Sequence, residues 1–394
     1  KTDKQLSKIL SSKSFETVRW LSKKGLKFTP IEGRQSFKVD GVMKYWGGLT
    51  LEVSGQGEKL IDSMVKIIKK NGIKIQYDSA ATDLIYEDNI VKGVEILYKN
   101  KPLKIFANSV VLACGGFESS PEMRTRYLGP GWEMAKVRGT KHNTGDGLTM
   151  ALKIGASPYG NWSGCHAVFH DMNGPEFSDL KISNKYRKIS YPWGIVINAD
   201  GERFVDEGED FRNYTYAKFG REVIKQPNQI GWQIFDHKVR HMLYPEYDVK
   251  SATMVKAKTL EELVKKLSGV NSSKALKTIN EFNDSVRDDI KYDPTIKDGK
   301  CTEGLKVNKT NWANKIDQAP FYAYGVTCGI TFTFGGLRVD KNCQVLNKVM
   351  KPIKGLYAAG EMVGGIFYFN YPGGSGLTSG AVFGKIAGHS AALN

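Results

Sequence analysis

The chain has 394 residues, 41% hydrophobic and 25% charged, with a formal net charge of +16. That length accommodates two domains, or one large domain with an inserted cap, and the balance is that of a soluble globular protein. No apolar run is long enough to span a membrane, no secretory signal opens the chain, and no zinc finger, RNP-like motif or aromatic-interleaved basic run points to nucleic acid.

In chain order, residues 1–10 are polar and read as the interior of a longer protein. A helix is expected over 12–25, with Phe15, Val18, Trp20 and Leu21 as its apolar stripe. A glycine-rich stretch at 47–57 precedes a helix over 58–70. Its buried side is expected to be Leu60, Ile61, Met64, Val65, Ile67 and Ile68, and Asn71-Gly72 stops it. Alternating Ile73, Ile75 and Tyr77 predict a strand. A β-meander follows, with strands at 81–85, 91–97 and 103–107. Residues 109–113 read as a fully buried apolar strand running into Gly115-Gly116, the kind of strand end where open α/β sheets place ligands. Residues 162–320 are richer in aromatics and charge, with helices near 260–267 and 273–286. They are read as a mixed domain inserted between 1–161 and 321–394. A strand at 355–359 leads into Gly360-Glu361, and 376–392 reads as a small-residue helix.

The C-terminal unit carries the most chemistry. Strand, Gly360-Glu361, Gly364-Gly365, the run Asn370 to Leu377 and a helix occur in that order. Glycines admit a cofactor close to the backbone. A helix N-terminus near Gly376 offers N–H groups to an anionic or electron-rich group. Glu361 can accept hydrogen bonds from sugar or ribityl hydroxyls. The plainer alternative is a glycine-rich loop that serves packing alone. Thr144-Gly145-Asp146-Gly147 precedes an apolar helix over 148–154. Alone it reads as a cap made by Asp146; with residues 113–116 upstream it reads as a dinucleotide contact.

Residues 108–117 (NSVVLACGGF), the Thr-Gly-Asp-Gly unit and residues 355–388 together resemble the FAD-binding family of fumarate reductase, succinate dehydrogenase and 3-ketosteroid Δ1-dehydrogenase flavoproteins. Residues 162–168 (WSGCHAV), 203–216 (RFVDEGEDFRNYTY) and 327–336 (TCGITFTFGG) are most similar to its tricarballylate dehydrogenase branch. The resemblance covers essentially the whole chain. It implies an α/β fold: a partial Rossmann-like FAD-binding domain with an inserted α+β substrate-capping domain. It also implies noncovalent FAD and hydride transfer between a substrate carbon and flavin N5. Asp146, Glu361, Gly376 and Leu377 match FAD-contacting positions of the family. Ala81, Ala113, Cys114 and Gly115 match its adenosine half.

For the proton, the family's reductases use an arginine shortly after the Arg-Phe-x-x-Glu stretch, and Arg212 stands there, displaced by one residue. An arginine accepts a proton only within a carboxylate relay, for which Glu207, Glu209 and Asp210 are near in sequence. Otherwise Arg212 pairs with one of these acids or with a substrate carboxylate. His166 is expected either as a substrate-carboxylate donor or as an ordinary partly buried histidine. Thr331, Thr333, Tyr371 and Gly374 complete the implied substrate set. Phe332 stands where the reductases have a histidine, and Tyr371 where they have a carboxylate-binding arginine, which disfavours plain fumarate or succinate. The Tyr-Pro-Gly unit is also similar to the steroid dehydrogenases, and a tyrosine donor suits a carbonyl or a carboxyl oxygen.

The leading expectation is an FAD-dependent dehydrogenase of a small tricarboxylate or related acid. A reductase of an α,β-unsaturated acid and a 3-ketosteroid dehydrogenase-like enzyme are the alternatives. A rival of another class is a flavin-less fragment or subunit needing a partner chain. Its motive is that the family's GxGxxG and the ribose-binding acid roughly twenty residues beyond it are not found. The net charge is either a solvated basic surface or a field that steers an anionic substrate. The odd count of five cysteines and the lack of a CxxC pair fit a reducing, cytoplasmic setting. His166 and His170, like His237 and His241, stand four apart, but no HExxH glutamate or third ligand accompanies them, so no metal is expected. An electron-transfer protein remains an open partner.

Overall fold

A computed structural model of the chain describes residues 2–31, 36–39, 41–45 and 51–394. Helix α1, Lys4–Lys23, begins earlier than predicted because the Asp3 carboxylate accepts the N–H groups of Gln5 and Leu6. Leu6 and Thr17 are its buried side chains, whereas Phe15 is exposed. Of the predicted stripe, Phe15 is therefore on the solvent side, while Val18, Trp20 and Leu21 are half-buried. Strands β1 (Phe28–Pro30), β2 (Ser36–Val39), β3 (Val42–Tyr45) and β4 (Leu51–Val53) follow, then helix α2 (Gln56–Lys70). Residues 47–50 of the glycine-rich stretch lie outside the described residues. None of the α2 side chains is fully buried, and residues 73–77 form no strand.

The β-meander forms as β5 (Ser79–Glu87), β6 (Ile90–Tyr98) and β7 (Lys101–Phe106), followed by β8 (Val110–Leu112). Next come α3 (Pro121–Leu128), β9 (Lys136–Val137), α4 (Asp146–Lys153), β10 (Pro158–Asp171), β11 (Ile195–Asn198), α5 (Arg212–Thr215), α6 (Phe219–Ile224), β12 (Gly231–Phe235) and β13 (Met254–Ala257). Helices α7 (Leu260–Lys265) and α8 (Ser272–Asp284), strands β14 (Phe321–Leu337), β15 (Gln344–Leu346) and β16 (Pro352–Ala358), and helix α9 (Ser375–Ala392) complete the chain.

Two large sheets position the site. The first runs β15-β16-β6-β5, with β7 on β6 and β8 parallel to β16 in the register Leu356↔Val110 to Ala358↔Leu112. Because β8 and β16 are parallel, the glycines after each emerge side by side. Strand β8 is not fully buried as predicted, since Val111 keeps 38% exposure. The second sheet runs β10-β14-β12-β11, with β13 and β9 also on β14. The 17-residue β14 enters three hydrophobic cores, its Phe321 and Ala323 joining the one around Ile279 and Phe282. Its Leu337 packs with Phe117, Leu148, Leu356 and Phe383, while Val326 and Ile330 pack with Phe169, Tyr191 and Phe235. The middle of β14, paired with β10, is therefore the seam between the two layers.

Candidate active site at the seam of two sheets

His166 of β10 sits opposite Phe332 of β14 in the ladder. Their rings stack at 5.5 Å with an interplanar angle of 13°. Tyr371 and Tyr216 meet the imidazole edge-on at 4.7 and 4.9 Å, and their hydroxyls hydrogen-bond to each other at 2.6 Å. Phe367 closes this aromatic box against Phe332 and Tyr371. His166 is fully buried, yet neither ring nitrogen has a hydrogen-bond partner among the described residues. Such an orphaned group costs roughly 1–3 kcal/mol, so its retention points to a ligand. Burial, then the nearby Arg138 charge, holds its pKa well below the ordinary histidine value. The imidazole is neutral at pH 7. Burial and the Tyr216 hydroxyl raise Tyr371 well above the usual phenol, so it stays a donor.

One residue further along β14, the chemistry changes. The Thr333 N–H donates to Glu361 Oε1 at 2.7 Å and its hydroxyl at 3.1 Å. Gly116 lies against this pair. A Cβ there would fall 2.2 Å from both Glu361 Oε1 and Thr333 Oγ1, so only glycine fits. The Glu118 carboxyl faces Glu361 and accepts from Asn143 at 2.5 Å. Burial raises both carboxyls, and for Glu361 the neighbouring Glu118 charge adds to it. The buried Glu118 Oε2 has no donor among the described residues, and a proton held by one of the two acids would supply one. Around this rim stand Gly115 (φ +80°), Gly360 (φ +69°) and Gly374 (φ +87°). Gly374 caps the 18-residue α9 without a side-chain hydrogen bond. The Ser375 N–H donates to the Pro372 carbonyl at 3.2 Å and the Thr378 N–H to that of Gly374, which leaves the N–H groups of Gly376 and Leu377 open to an acceptor.

The predicted residues fall into two groups. Glu361, Gly115 and Cys114 converge at the paired strand ends, where the Cys114 sulfur lies 3.8 Å from Met362. Asp146 is the first residue of α4 rather than its cap. Gly145 takes the cap position with no side-chain bond, and Asp146 accepts from Thr144 at 2.8 Å. Ala81, Ala113, Cys114, Asp146 and Leu377 are exposed along this edge. Gly376 sits beside the aromatic box, where a Cβ would meet Phe332 at 3.5 Å and Tyr371 at 3.7 Å. Arg212 lies over the Tyr216 and Tyr244 rings at 5.6 and 5.3 Å, sharing Tyr216 with His166. The acids expected beside it have other partners: Glu207 pairs with Arg203 at 2.5 Å, Glu209 with Lys218, and Asp210 with Lys297 at 3.7 Å. His170 lies on β10 with its Nδ1 3.3 Å from the Tyr186 carbonyl, and burial pushes its pKa down to about 3. Among the described residues no group of three or more His, Cys, Asp or Glu could hold a metal.

Three participants were not found from sequence. Tyr216 carries no motif of its own. Glu118 follows Gly115-Gly116-Phe117 directly, and only its position beside the glycines signals it. Arg138 lies in a Val-Arg-Gly-Thr segment with no periodic pattern. It donates from Nε and Nη2 to Asn184 Oδ1 at 3.1 and 3.0 Å, and from Nη1 to Thr331 Oγ1 at 3.1 Å.

Glycine-lined ends of two parallel strands, an acid after the second and an open helix N-terminus are the donor set of a dinucleotide-binding flavoprotein. Residues 1–377 match the FAD binding domain family, and the chain belongs to it. FAD is the cofactor this membership assigns, and the cradle at Gly116, Glu361 and Thr333 fits it. The chain is 31% identical over 395 residues to the probable fumarate reductase Ifc3 of Shewanella frigidimarina (strain NCIMB 400), covering 99% of this chain and 61% of that protein. It is 29% identical over 400 residues to the NADH:acrylate oxidoreductase of Vibrio harveyi, covering 98% of this chain and 36% of that one. The solved open conformation of a flavocytochrome c3 fumarate reductase superposes with a TM-score of 0.73 at 29% identity, over 100% of this chain and 64% of that one. The chain thus spans less than two thirds of the length of these relatives.

Proposed function

We propose that this chain is the FAD-binding and substrate-capping portion of an oxidoreductase that acts on a C–C bond of a small carboxylate, with tricarballylate as its leading substrate. The observation that carries this reading is a single run of β14. Thr331 bonds Arg138, Phe332 stacks on the unpartnered His166, and Thr333 holds Glu361 beside Gly116. Substrate groups and cofactor groups are thereby one residue apart. Bound FAD supplies a hydride acceptor or donor at N5.

The chain's own residues do the rest. Neutral His166 hydrogen-bonds a carboxyl oxygen, and protonated Tyr371 donates to a second. The aromatic box excludes water, which strengthens these bonds. Arg212 pairs with a substrate carboxylate rather than taking the proton, because Glu207, Glu209 and Asp210, the acids a relay through it would use, are paired with Arg203, Lys218 and Lys297. Tyr216 positions it against His166. The substrate loses one hydrogen as hydride to bound FAD and one as proton to the neutral His166 imidazole, leaving a C=C bond. Residues 162–320 act as the cap, between the two cofactor segments 1–161 and 321–394. An electron-transfer protein takes the electrons onward. The five free cysteines support a reducing, cytoplasmic setting, and among the described residues no helix is long and apolar enough to cross a membrane.

The test is dye-linked turnover of the flavin-loaded protein with tricarballylate, fumarate, acrylate and a 3-ketosteroid. Turnover with tricarballylate at a kcat/KM at least about tenfold above the others is expected. A tenfold step is about 1.4 kcal/mol of transition-state discrimination. Preference for the steroid contradicts the reading.

A further inference from the structure

We infer that Arg138 is the carboxylate anchor of the substrate site, holding one carboxylate of the substrate end-on beside His166 and Tyr371. This rests on the acid-substrate reading and names the residue that gives it charge selectivity.

Geometry carries the assignment. Arg138 follows β9, which pairs in parallel with β14, and its N–H donates to the Ile330 carbonyl at 2.8 Å. That bond sets the side chain against Thr331. Three guanidinium N–H groups are taken, and both acceptors are neutral: the Asn184 amide oxygen and the Thr331 hydroxyl. A guanidinium has five such donors. One therefore remains on each terminal nitrogen, the pair whose spacing matches the two oxygens of a carboxylate.

The charge is also uncompensated. No ion pair among the described residues includes Arg138, while the adjacent Arg187 is neutralised by Glu246 at 2.5 Å. The residue keeps some exposed surface, yet the protein crowds its charged end. Burial and then the Arg187 charge lower its pKa to about 10, and Tyr216 and Tyr371 are among the groups that face it. At pH 7 it is a cation in a poorly solvated site with no ion-pair contact among the described residues; the one acid whose charge is felt there, Glu246, is itself paired with Arg187. Such a charge is stabilised by an anion that enters with two hydrogen bonds. The Arg138 charge acts on both His166 and Tyr371, whose rings meet at 4.7 Å, and the unpartnered imidazole nitrogens and the Tyr371 hydroxyl suit the remaining oxygens of a di- or tricarboxylate.

The test is equilibrium binding, by calorimetry, of tricarballylate and of its uncharged trimethyl ester to the wild-type flavoprotein, Arg138→Lys and Arg138→Gln. Melting temperature and flavin content serve as fold controls. Arg138→Gln is expected to weaken tricarballylate roughly 100-fold, the scale of a lost charge-assisted fork, with ester affinity unchanged. Arg138→Lys is expected to fall between, because a point charge replaces a fork. Tricarballylate bound by Arg138→Gln within about threefold of wild type overturns the anchor and leaves the acid reading standing. Equal loss of acid and ester overturns it too, by showing a packing role. A wild-type protein that binds the ester but no carboxylate overturns both.

Discussion

His166 combines complete burial, three aromatic neighbours and, among the described residues, no hydrogen bond at either nitrogen. A residue kept for stability would not be left this way. His166→Leu is therefore expected to fold with unchanged or slightly raised stability, by up to ~1 kcal/mol, and to lose about 10²–10³-fold in kcat/KM. A lower melting temperature with intact turnover would instead assign it to packing. Its depressed pKa has a signed consequence. The unfolded chain binds a proton near the ordinary value of 6.5 that the folded chain refuses. The stabilising contribution of neutral His166 is full above that pH and declines as pH falls below it. His170 acts in the same direction, whereas the raised Glu118 and Glu361 carboxyls oppose it. Between pH 7.5 and 5.5, wild type should lose more unfolding free energy than His166→Leu, on the order of 1 kcal/mol. Urea titrations at the two pH values measure this, and parallel losses in the two proteins would contradict it. At this scale the sequence marked His166, Tyr371 and Glu361 through motifs. Arg138 and Glu118 were missed, because a lone charge has no pattern until the fold surrounds it.

At the scale of elements, the periodic helices were legible: α2, α4, α8 and α9 lie within a few residues of their expected bounds. The meander was legible for the same reason, since alternation and turn residues are local signals. Strands β10 and β14 were not. Both are buried along most of their length, and a strand covered on both faces lacks the period-two signature. The opposite error occurred at Ile73, Ile75 and Tyr77, which alternate but have no neighbouring strand to pair with among the described residues. The glycines between β8 and α3 illustrate what these elements demand. Gly116→Ala would drive a methyl into Glu361 and Thr333. It should cost roughly 1–3 kcal/mol by overpacking and strip flavin from the purified protein. The ratio of flavin to protein absorbance, read with the melting curve, checks this. A fully loaded Gly116→Ala would show that the Glu361 carboxyl does not border the cofactor.

Across the whole molecule, β14 runs through three hydrophobic cores, and the proposed chemistry sits between the two that hold Ile330 and Leu337. The resemblance in the sequence led to the correct family, because its glycine units recur in order along the chain. It did not reveal that one strand carries the proposed substrate contacts and the proposed cofactor contact in consecutive residues. The pairing of β10 with β14, separated by more than 150 residues in sequence, creates that arrangement. The central claim is hydride transfer from a carboxylate C–C bond to the flavin at this seam. Anaerobic stopped-flow mixing of the flavin-loaded protein with tricarballylate tests it most directly. The account predicts bleaching of the oxidised flavin band near about 450 nm, slowed by deuterium at the reacting carbons and largely abolished in Arg138→Gln. A flavin that stays oxidised with every carboxylate, yet bleaches with a 3-ketosteroid, would contradict it.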